Sequence, residues 1–366
     1  MQFLISGSLA EATGGYHYDR RLIAGLRALG WRVDVRSLAS QDADEVLASL
    51  CDDELVVIDG LALGTMPEVA AKHASRLRLI ALIHHPLALE SGLSPAVADQ
   101  LRRSEEAALK CVRHVIVTSA FTRDALVPYG VQPSLVSVVE PGTDVGPVGV
   151  ARGCARAGAD GTRDVEHVPR GGSFQLLCVA TVTPRKGHDV LIEALASLRH
   201  LDWRLVCAGS TTRSPVTVET LHWKIQAAGL GDRVSVVGEI DALALEQSFA
   251  EADLFVLPTL YEGYGMVVAE ALAHGLPVIA SRTGAIPDLV LPDAGFVVNP
   301  GDTKALGEAL SRVLTDKSVY TSLAEGAYSA RERLPTWAAA CERAAAVLDA
   351  VRLTRHPEGA RPGAAQ

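Results

Sequence analysis

One stretch decides the fold: Leu257-Pro258-Thr259-Leu260-Tyr261-Glu262-Gly263-Tyr264-Gly265-Met266-Val267-Val268-Ala269-Glu270-Ala271-Leu272-Ala273. Its composition predicts a strand that ends near Pro258, a glycine-containing loop, and a helix that begins near Gly265. Free backbone N–H groups and the positive end of a helix dipole then lie at the carboxyl end of a strand. This arrangement suits the binding of a diphosphate.

The two glutamates of this stretch are expected to do different jobs. Glu262 lies in the loop and Glu270 lies inside the helix, and eight helical positions would put them about 80° out of phase. A carboxylate only accepts hydrogen bonds, so Glu270 can bind both hydroxyls of a ribose, while Glu262 can face a sugar. Taken alone, each glutamate is better explained as a solvated surface residue.

Short apolar runs alternate with amphipathic stretches along the rest of the chain, and one of these stretches predicts a helix over residues 16–29. The predicted strands are residues 3–6, 32–36, 55–58, 77–83, 114–118, 135–139, 174–180, 204–208, 234–237, 254–257, 277–280 and 295–298. Continuous apolar strands separated by helices favour parallel sheets that are covered on both faces. We therefore predict an α/β protein with two doubly wound domains, whose strands present their carboxyl ends to a cleft.

Composition and charge exclude several classes of protein. The chain has 366 residues, 48% of them hydrophobic, and a formal net charge of -9. An acidic chain is a poor nucleic-acid binder, although a small basic patch could still touch a membrane surface. The six cysteines show no C-x-x-C spacing, which argues against a zinc knuckle or a redox dithiol. The N-terminus resembles a strand rather than a signal peptide, so we expect a cytoplasmic protein.

A second segment, Val179-Ala180-Thr181-Val182-Thr183-Pro184-Arg185-Lys186-Gly187, follows the first strand of the second half. Two adjacent cations at the start of a helix oppose the helix dipole, which is easier to explain if an anion binds there. A solvated charge pair is the plainer alternative.

Two segments of the first half also follow strands. Thr13-Gly14-Gly15-Tyr16 contains a glycine pair that permits close approach of the backbone, although an ordinary turn would look the same. Leu82-Ile83-His84-His85-Pro86 contains two histidines, and the sequence does not decide between His84 and His85. Two weaker candidates, Ser119 and Asp288, are explained as a helix N-cap and as a cap or turn residue.

Taken together, these segments resemble the large retaining glycosyltransferase family with the E-x7-E signature and the GT-B fold, glycosyltransferase family 4, group 1. The resemblance is strongest over residues 174–300 and looser over the first half. It implies that Glu262 lies by the donor sugar and that Glu270 binds the nucleotide ribose. It implies contacts to the donor's phosphates and sugar from the loop residues Gly263, Tyr264, Gly265 and Met266, from the pair Gly14 and Gly15, and from Lys186.

The chain departs from this family at one position of the phosphate-binding loop. The family usually has an arginine where this chain has Thr181, and Arg185 is a candidate to supply the missing charge. A histidine near the donor sugar is expected at His84 or His85. Glu262, Lys186 and these two histidines are therefore the candidate catalytic residues.

The resemblance also implies a domain organisation. Residues 1–145 form an acceptor-side Rossmann-like domain, 146–173 a linker with an insertion, and 174–334 the nucleotide-sugar-binding domain. Residues 335–354 form a helix that packs back on the N-terminal domain, and 355–366 form a disordered tail.

The function implied is a retaining glycosyltransferase, most simply a hexosyltransferase, which moves a sugar from a nucleoside-diphosphate sugar to a glycan, lipid or small-molecule acceptor. No Asp-x-Asp cluster flanks the site, so neither a metal nor another cofactor is expected. We expect no nucleic-acid partner, and a location in the cytoplasm that extends to the inner face of the membrane. Two alternatives remain: a nucleotide-sugar epimerase of the same fold, and a non-catalytic nucleotide-sugar-binding protein.

Overall fold

Two parallel six-stranded sheets, each covered by helices, make up the molecule. The computed structural model describes residues 1–11, 13–90, 92–144 and 172–354. The predicted linker and insertion, 146–173, lies outside these residues except for its last two positions. The predicted tail, 355–366, lies outside them entirely.

The first sheet has the strand order β2-β1-β3-β4-β5-β6 and is parallel throughout. Its strands are β1 (Gln2–Ile5), β2 (Asp34–Ser37), β3 (Leu55–Asp59), β4 (Arg78–Ile83), β5 (His114–Val117) and β6 (Val136–Val138). The helices of this half are α1 (Gly14–Ala28), α2 (Ala43–Ala48), α3 (Gly60–Leu63), α4 (Pro67–His73), α5 (Pro95–Leu109) and α6 (Ala120–Ala125). Both faces of β3 are buried, as its unbroken apolar sequence predicts.

The second sheet has the order β12-β11-β10-β7-β8-β9 and is also parallel. Its strands are β7 (Phe174–Val179), β8 (Trp203–Ala208), β9 (Val234–Gly238), β10 (Leu254–Leu257), β11 (Val278–Ser281) and β12 (Gly295–Val298). Its helices are α7 (His188–Ala196), α8 (Pro215–Ala227), α9 (Ala242–Glu251), α10 (Met266–Ala273), α11 (Ile286–Leu289), α12 (Thr303–Thr315) and α13 (Lys317–Ala330). Each of the twelve strands predicted from the sequence overlaps one of the observed strands.

The last helix, α14 (Trp337–Leu353), packs on the first sheet rather than on the second. Its buried residues Trp337, Cys341 and Leu348 join the apolar cluster formed by β1 and α1. Gly25 of α1 lies so close to α14 that a Cβ there would stand 2.1 Å from the Cys341 sulfur. A second cluster fills the opposite face of the first sheet, and one large cluster fills the C-terminal half.

The order in which strands are added reverses at one point in each sheet. From β1 the chain moves outward to β2 and then returns to β3 on the other side of β1. In the second sheet it moves from β7 outward to β8 and β9, and then returns to β10 on the other side of β7. Ligands of open parallel sheets bind outside the carboxyl ends of the strands at such points. Within the described part of the chain, no helix is both long enough and apolar enough to cross a bilayer.

Candidate active site

A cleft of about 910 Å³ lies between the two sheets and is lined from both halves of the chain. The segments that follow the strands at both reversal points open into it: α1 after β1, Asp59 at the end of β3, Lys186 after β7 and Glu262 after β10. All twelve residues that the sequence proposed for the site line this cleft. The structure therefore brings the separate sequence segments to one place.

The loop between β10 and α10 holds Glu262 in an ion pair. Lys186 Nζ lies 2.5 Å from Glu262 Oε2, and both side chains are about 15% exposed (14% and 15%). The guanidinium of Arg185 lies 3.9 Å from the same carboxylate oxygen. Burial alone would raise the pKa of Glu262, but Lys186 and Arg185 outweigh burial and hold that pKa below its ordinary value. Glu262 is therefore charged at neutral pH.

Glycines let this loop fit between the two halves. Gly265 adopts φ +95° and is the residue from which α10 begins, a conformation that favours glycine. A Cβ on Gly263 would stand 2.4 Å from the His84 carbonyl oxygen of the opposite half. Tyr264 is buried with Ala269 and Ala285. Met266 packs against this group and also against the apolar cluster of the N-terminal half.

Glu270 lies further along α10, and among the described residues no cation lies beside it. Burial raises its pKa to about 7, and repulsion from Glu246 and Asp144 adds to the effect. The side chain lines the cleft and forms no hydrogen bond with any residue in the described ranges. A ligand that donates hydrogen bonds to this carboxylate would stabilise its charged form.

Lys186 and Arg185 lie in a short 3-10 turn, Pro184–Lys186, that precedes α7. They point to different partners. Arg185 Nε donates to Glu90 Oε1 of the N-terminal half at 2.9 Å, and its Nη1 donates to the Tyr261 carbonyl at 3.0 Å. Arg185 thus joins the two halves of the molecule, which the sequence did not reveal. Thr181 also lines the cleft.

Gly14 and Gly15 form the first turn of α1 rather than a loop before it, which corrects the sequence prediction that the helix begins at Tyr16. The helix starts earlier because Thr13 is its N-cap: the Thr13 hydroxyl accepts a hydrogen bond from the Tyr16 N–H. The N-terminus of a 15-residue helix therefore faces the cleft. A Cβ on Gly15 would lie 3.2 Å from the His84 ring, so glycine leaves room for that ring.

The two neighbouring histidines have different surroundings. His84 Nε2 lies 3.1 Å from Asp19 Oδ1 and 4.0 Å from Asp59 Oδ1, whereas His85 lies 3.4 Å from Glu90. Burial alone would lower the pKa of His84, but the two aspartates outweigh burial and raise it. Asp19 and Asp59 were missed in the sequence, although an aspartate that ends an apolar strand, as Asp59 does, is a usable signal.

Ser119 does more than the cap role that the sequence indicated. Its hydroxyl accepts a hydrogen bond from the Thr122 N–H at 3.0 Å and also donates to the Gly263 carbonyl at 2.8 Å. The second bond is buried and connects the N-terminal half to the loop that carries Glu262. Asp288 lies in the first turn of α11 and does not line the cleft.

Comparison with known protein families gives two matches. The family model described as "Glycosyl transferases group 1" matches residues 162–330, and the model described as "Glycosyltransferase Family 4" matches residues 55–146. Among curated proteins, a D-inositol 3-phosphate glycosyltransferase of Xylanimonas cellulosilytica is 33% identical over 229 residues, which is 60% of this chain and 52% of that protein. The chain spans about half the length of the first such relatives that it matches.

A longer match covers most of the chain. An MMP alpha-(1->4)-mannosyltransferase of Mycolicibacterium hassiacum is 26% identical over 325 residues, 84% of this chain and 73% of that protein. Among solved structures, sucrose-phosphate synthase from Thermosynechococcus elongatus has a TM-score of 0.76 at 24% identity and covers 96% of this chain and 98% of its own. The Anabaena protein HepE, in complex with UDP and glucose, has a TM-score of 0.74 at 19% identity, with 95% and 98% covered. The two-domain GT-B fold predicted from the sequence is thereby confirmed.

Proposed function

The chain belongs to the group 1 glycosyltransferases of the GT-B fold, and on that basis we propose that it transfers a sugar from a nucleoside-diphosphate sugar to an acceptor hydroxyl with retention of configuration. The observation that carries this proposal is the joint placement of Lys186, Glu262 and Glu270 in one cleft. The cleft offers a cation for a diphosphate, a charged carboxylate for a sugar, and an unpaired carboxylate for a ribose.

The nucleotide is proposed to lie on the C-terminal half. The two ribose hydroxyls would donate hydrogen bonds to Glu270. These hydrogen bonds would stabilise the charged carboxylate in place of a cation. The diphosphate would lie at Lys186. An ammonium group has three donors, so Lys186 can bind a phosphate oxygen without leaving Glu262. A complex of HepE with UDP supports this choice of ligand class.

The chemical step breaks the bond between the anomeric carbon and the phosphate oxygen, and the electron pair remains on the diphosphate. The acceptor oxygen then bonds to the anomeric carbon from the same face, and its proton passes to the departing phosphate oxygen. Negative charge grows on the diphosphate, so a fixed cation at Lys186 stabilises the transition state more than the bound donor. Glu262 stays charged next to the sugar and stabilises its developing positive charge. No step requires a metal ion.

The experiment is a turnover assay with a panel of nucleoside-diphosphate sugars and with acceptors of the carbohydrate, inositol phosphate and lipid classes. We expect release of nucleoside diphosphate that depends on the acceptor, and a product whose anomeric coupling in the NMR spectrum matches that of the donor. Inversion at the anomeric carbon would contradict retention. An epimerised sugar nucleotide formed without acceptor, or binding without any turnover, would contradict the transferase itself.

A further inference from the structure

Asp19, Asp59 and His84 form a buried cluster on the N-terminal side of the cleft, and each comes from a different element. Asp19 lies on α1 and is 0% exposed, Asp59 ends β3 and is 1% exposed, and His84 follows β4. One atom from each side chain lies within 4.8 Å of the others. Asp19 Oδ2 forms no hydrogen bond of normal geometry with the described residues, and the Asp59 carboxylate has only the backbone N–H groups of Gly60 and Leu61 close by, outside normal hydrogen-bond geometry. The proposed function gives no role to His84 or to the two aspartates.

The geometry fixes the position of one proton on His84. Because a carboxylate only accepts, the 3.1 Å contact between His84 Nε2 and Asp19 Oδ1 requires the proton on Nε2. A second carboxylate, Asp59, lies 4.0 Å away on the same side of the ring. A buried carboxylate at Asp19, joined by a second at Asp59 once that residue ionises, would be costly next to a neutral ring, whereas a charged ring offsets it. The second proton then lies on Nδ1, the remaining nitrogen of a ring that lines the cleft.

We propose that Asp19 and Asp59 are positioning residues, which hold His84 in one orientation and keep it doubly protonated so that Nδ1 donates a hydrogen bond to an oxygen of the sugar or acceptor in the cleft. This inference rests on the proposed function for the identity of the ligand, but the charge state of His84 can be tested without it. Gly15 contributes by leaving space for the ring, since a Cβ there would lie 3.2 Å from it.

The other groups that face His84 do not compete for this role. The Tyr18 ring of α1 meets the imidazole edge-on, with ring centroids 5.3 Å apart, and the Tyr18 hydroxyl donates to the Val139 carbonyl instead. The Thr118 and Thr122 hydroxyls donate to the His84 carbonyl, and Gly263 approaches the same carbonyl from the C-terminal half. The two aspartates are thus the charged groups that face the ring in the described structure.

Asp59 changes its charge near neutral pH. Burial raises the pKa of Asp59 to about 7, although the positive charge of His84 opposes the rise. Below pH 7 the protonated form of Asp59 therefore predominates, and Asp19 is the carboxylate that pairs with His84 Nε2. Above pH 7 Asp59 ionises and holds the imidazolium more firmly. A divalent cation is the competing occupant of this cluster, but it would need a Nε2 that carries no proton.

The direct test is an NMR titration of the full-length protein with labelled histidine, in which the His84 signal is assigned by its loss in His84→Gln. We expect His84 to remain protonated above neutral pH, and Asp19→Asn to lower its pKa by at least about 1 unit. The matched control is Glu105→Gln, which removes another buried carboxylate of the same half, one whose pKa is also about 7 but which does not line the cleft. This control should leave the titration of His84 unchanged.

Two results would overturn the inference: the same His84 titration in the wild type and in Asp19→Asn, or stoichiometric binding of Zn²⁺ that shifts the His84 signal. Turnover gives an independent readout. Asp19→Asn should lower kcat by about tenfold at pH 8 and by less at pH 6, because only at the higher pH does the variant lose the proton on His84. A loss that does not vary with pH, or that affects only KM, would indicate a purely structural role. If the wild type shows no turnover with any donor, the proposed function fails and the titration still decides the state of His84.

Discussion

The two walls of the cleft carry the same kinds of charged group but balance them differently. On the C-terminal wall Glu262 has one cation at 2.5 Å and another at 3.9 Å, and its pKa is lowered. On the N-terminal wall two buried aspartates share one histidine, and the pKa of Asp59 rises to about 7. Glu262 therefore keeps its charge near neutral pH. On the N-terminal wall Asp59 exchanges a proton near neutral pH, as Glu270 does further along the C-terminal wall, so the contrast is between a carboxylate with two cations beside it and carboxylates without them.

Removal of the central cation of the C-terminal wall should have the largest effect. Lys186→Ala is expected to lower kcat by about 10²–10³-fold, because the leaving diphosphate loses its fixed counter-charge. The matched control is Lys224→Ala: Lys224 pairs with Glu193 at 2.6 Å but lies outside the cleft, and its loss should cost less than about 0.5 kcal/mol in the activation barrier. Steady-state kinetics compare the two. Equal activity in both variants would refute the phosphate site.

The contact between the walls gives the next effect. Ser119→Ala removes the hydrogen bond to the Gly263 carbonyl and leaves that buried oxygen unpaired, which should cost about 1–3 kcal/mol. Ser94→Ala serves as the control, because Ser94 also caps a helix, accepting from the Val97 N–H, but has no partner in the other half. Loss of a cap alone costs about 1 kcal/mol. Thermal unfolding should give a lower midpoint temperature for Ser119→Ala than for Ser94→Ala. Identical midpoint temperatures would mean that the hydrogen bond between the walls contributes no stability.

The unpaired carboxylate of the C-terminal wall is tested by Glu270→Ala. Two charge-assisted hydrogen bonds to a ribose are lost, so the affinity for free nucleoside diphosphate should fall by at least about tenfold. Calorimetric titration with the nucleotide measures this. Glu308→Ala, on the exposed surface of α12, is the control and should bind as the wild type does. Undiminished affinity in a folded Glu270 variant would remove this residue from the site.

The smallest expected effect is a gain in the free energy of unfolding rather than a loss of activity, affinity or stability. The pKa of Glu270 rises from 4.5 to about 7 on folding, so the folded protein binds the extra proton more tightly and loses stability as the pH rises through this window. Glu270→Gln removes that loss. The variant should be more stable than the wild type at pH 8 by on the order of 1 kcal/mol, and the difference should disappear at pH 4.5. Thermal midpoints at both pH values check this, and a constant difference would contradict it.

The residues of the C-terminal wall that the sequence singled out each lie in a short segment with a pattern of its own. Glu262 and Glu270 lie on one loop and its helix, and Lys186 follows a strand in a separate short segment, so each signal is local. The N-terminal wall could not be predicted in the same way. Asp19 and Asp59 lie forty residues apart in different elements, and only the packing of α1 against the ends of β3 and β4 brings them to His84.

Other details depend on tertiary contacts that no local pattern encodes. Ser119 has an ordinary cap sequence, and its second bond exists only because the Gly263 loop lies opposite. Arg185 looked like a spare phosphate ligand, and its bond to Glu90 follows from the approach of the two halves. By contrast, the start of α1 was misplaced by two residues for a local reason, since the Thr13 cap precedes two glycines that interrupt the apolar pattern.

The position of α14 has a consequence for the order in which the protein matures during synthesis. The N-terminal sheet leaves the ribosome first, but the apolar surface of α1 and β1 is covered by a helix translated some two hundred residues after β6. The half that is made first is therefore completed last. Until α14 has left the exit tunnel this surface lacks its cover, and a chain that stops at residue 335 holds every residue of the C-terminal core but not the helix that completes the N-terminal one.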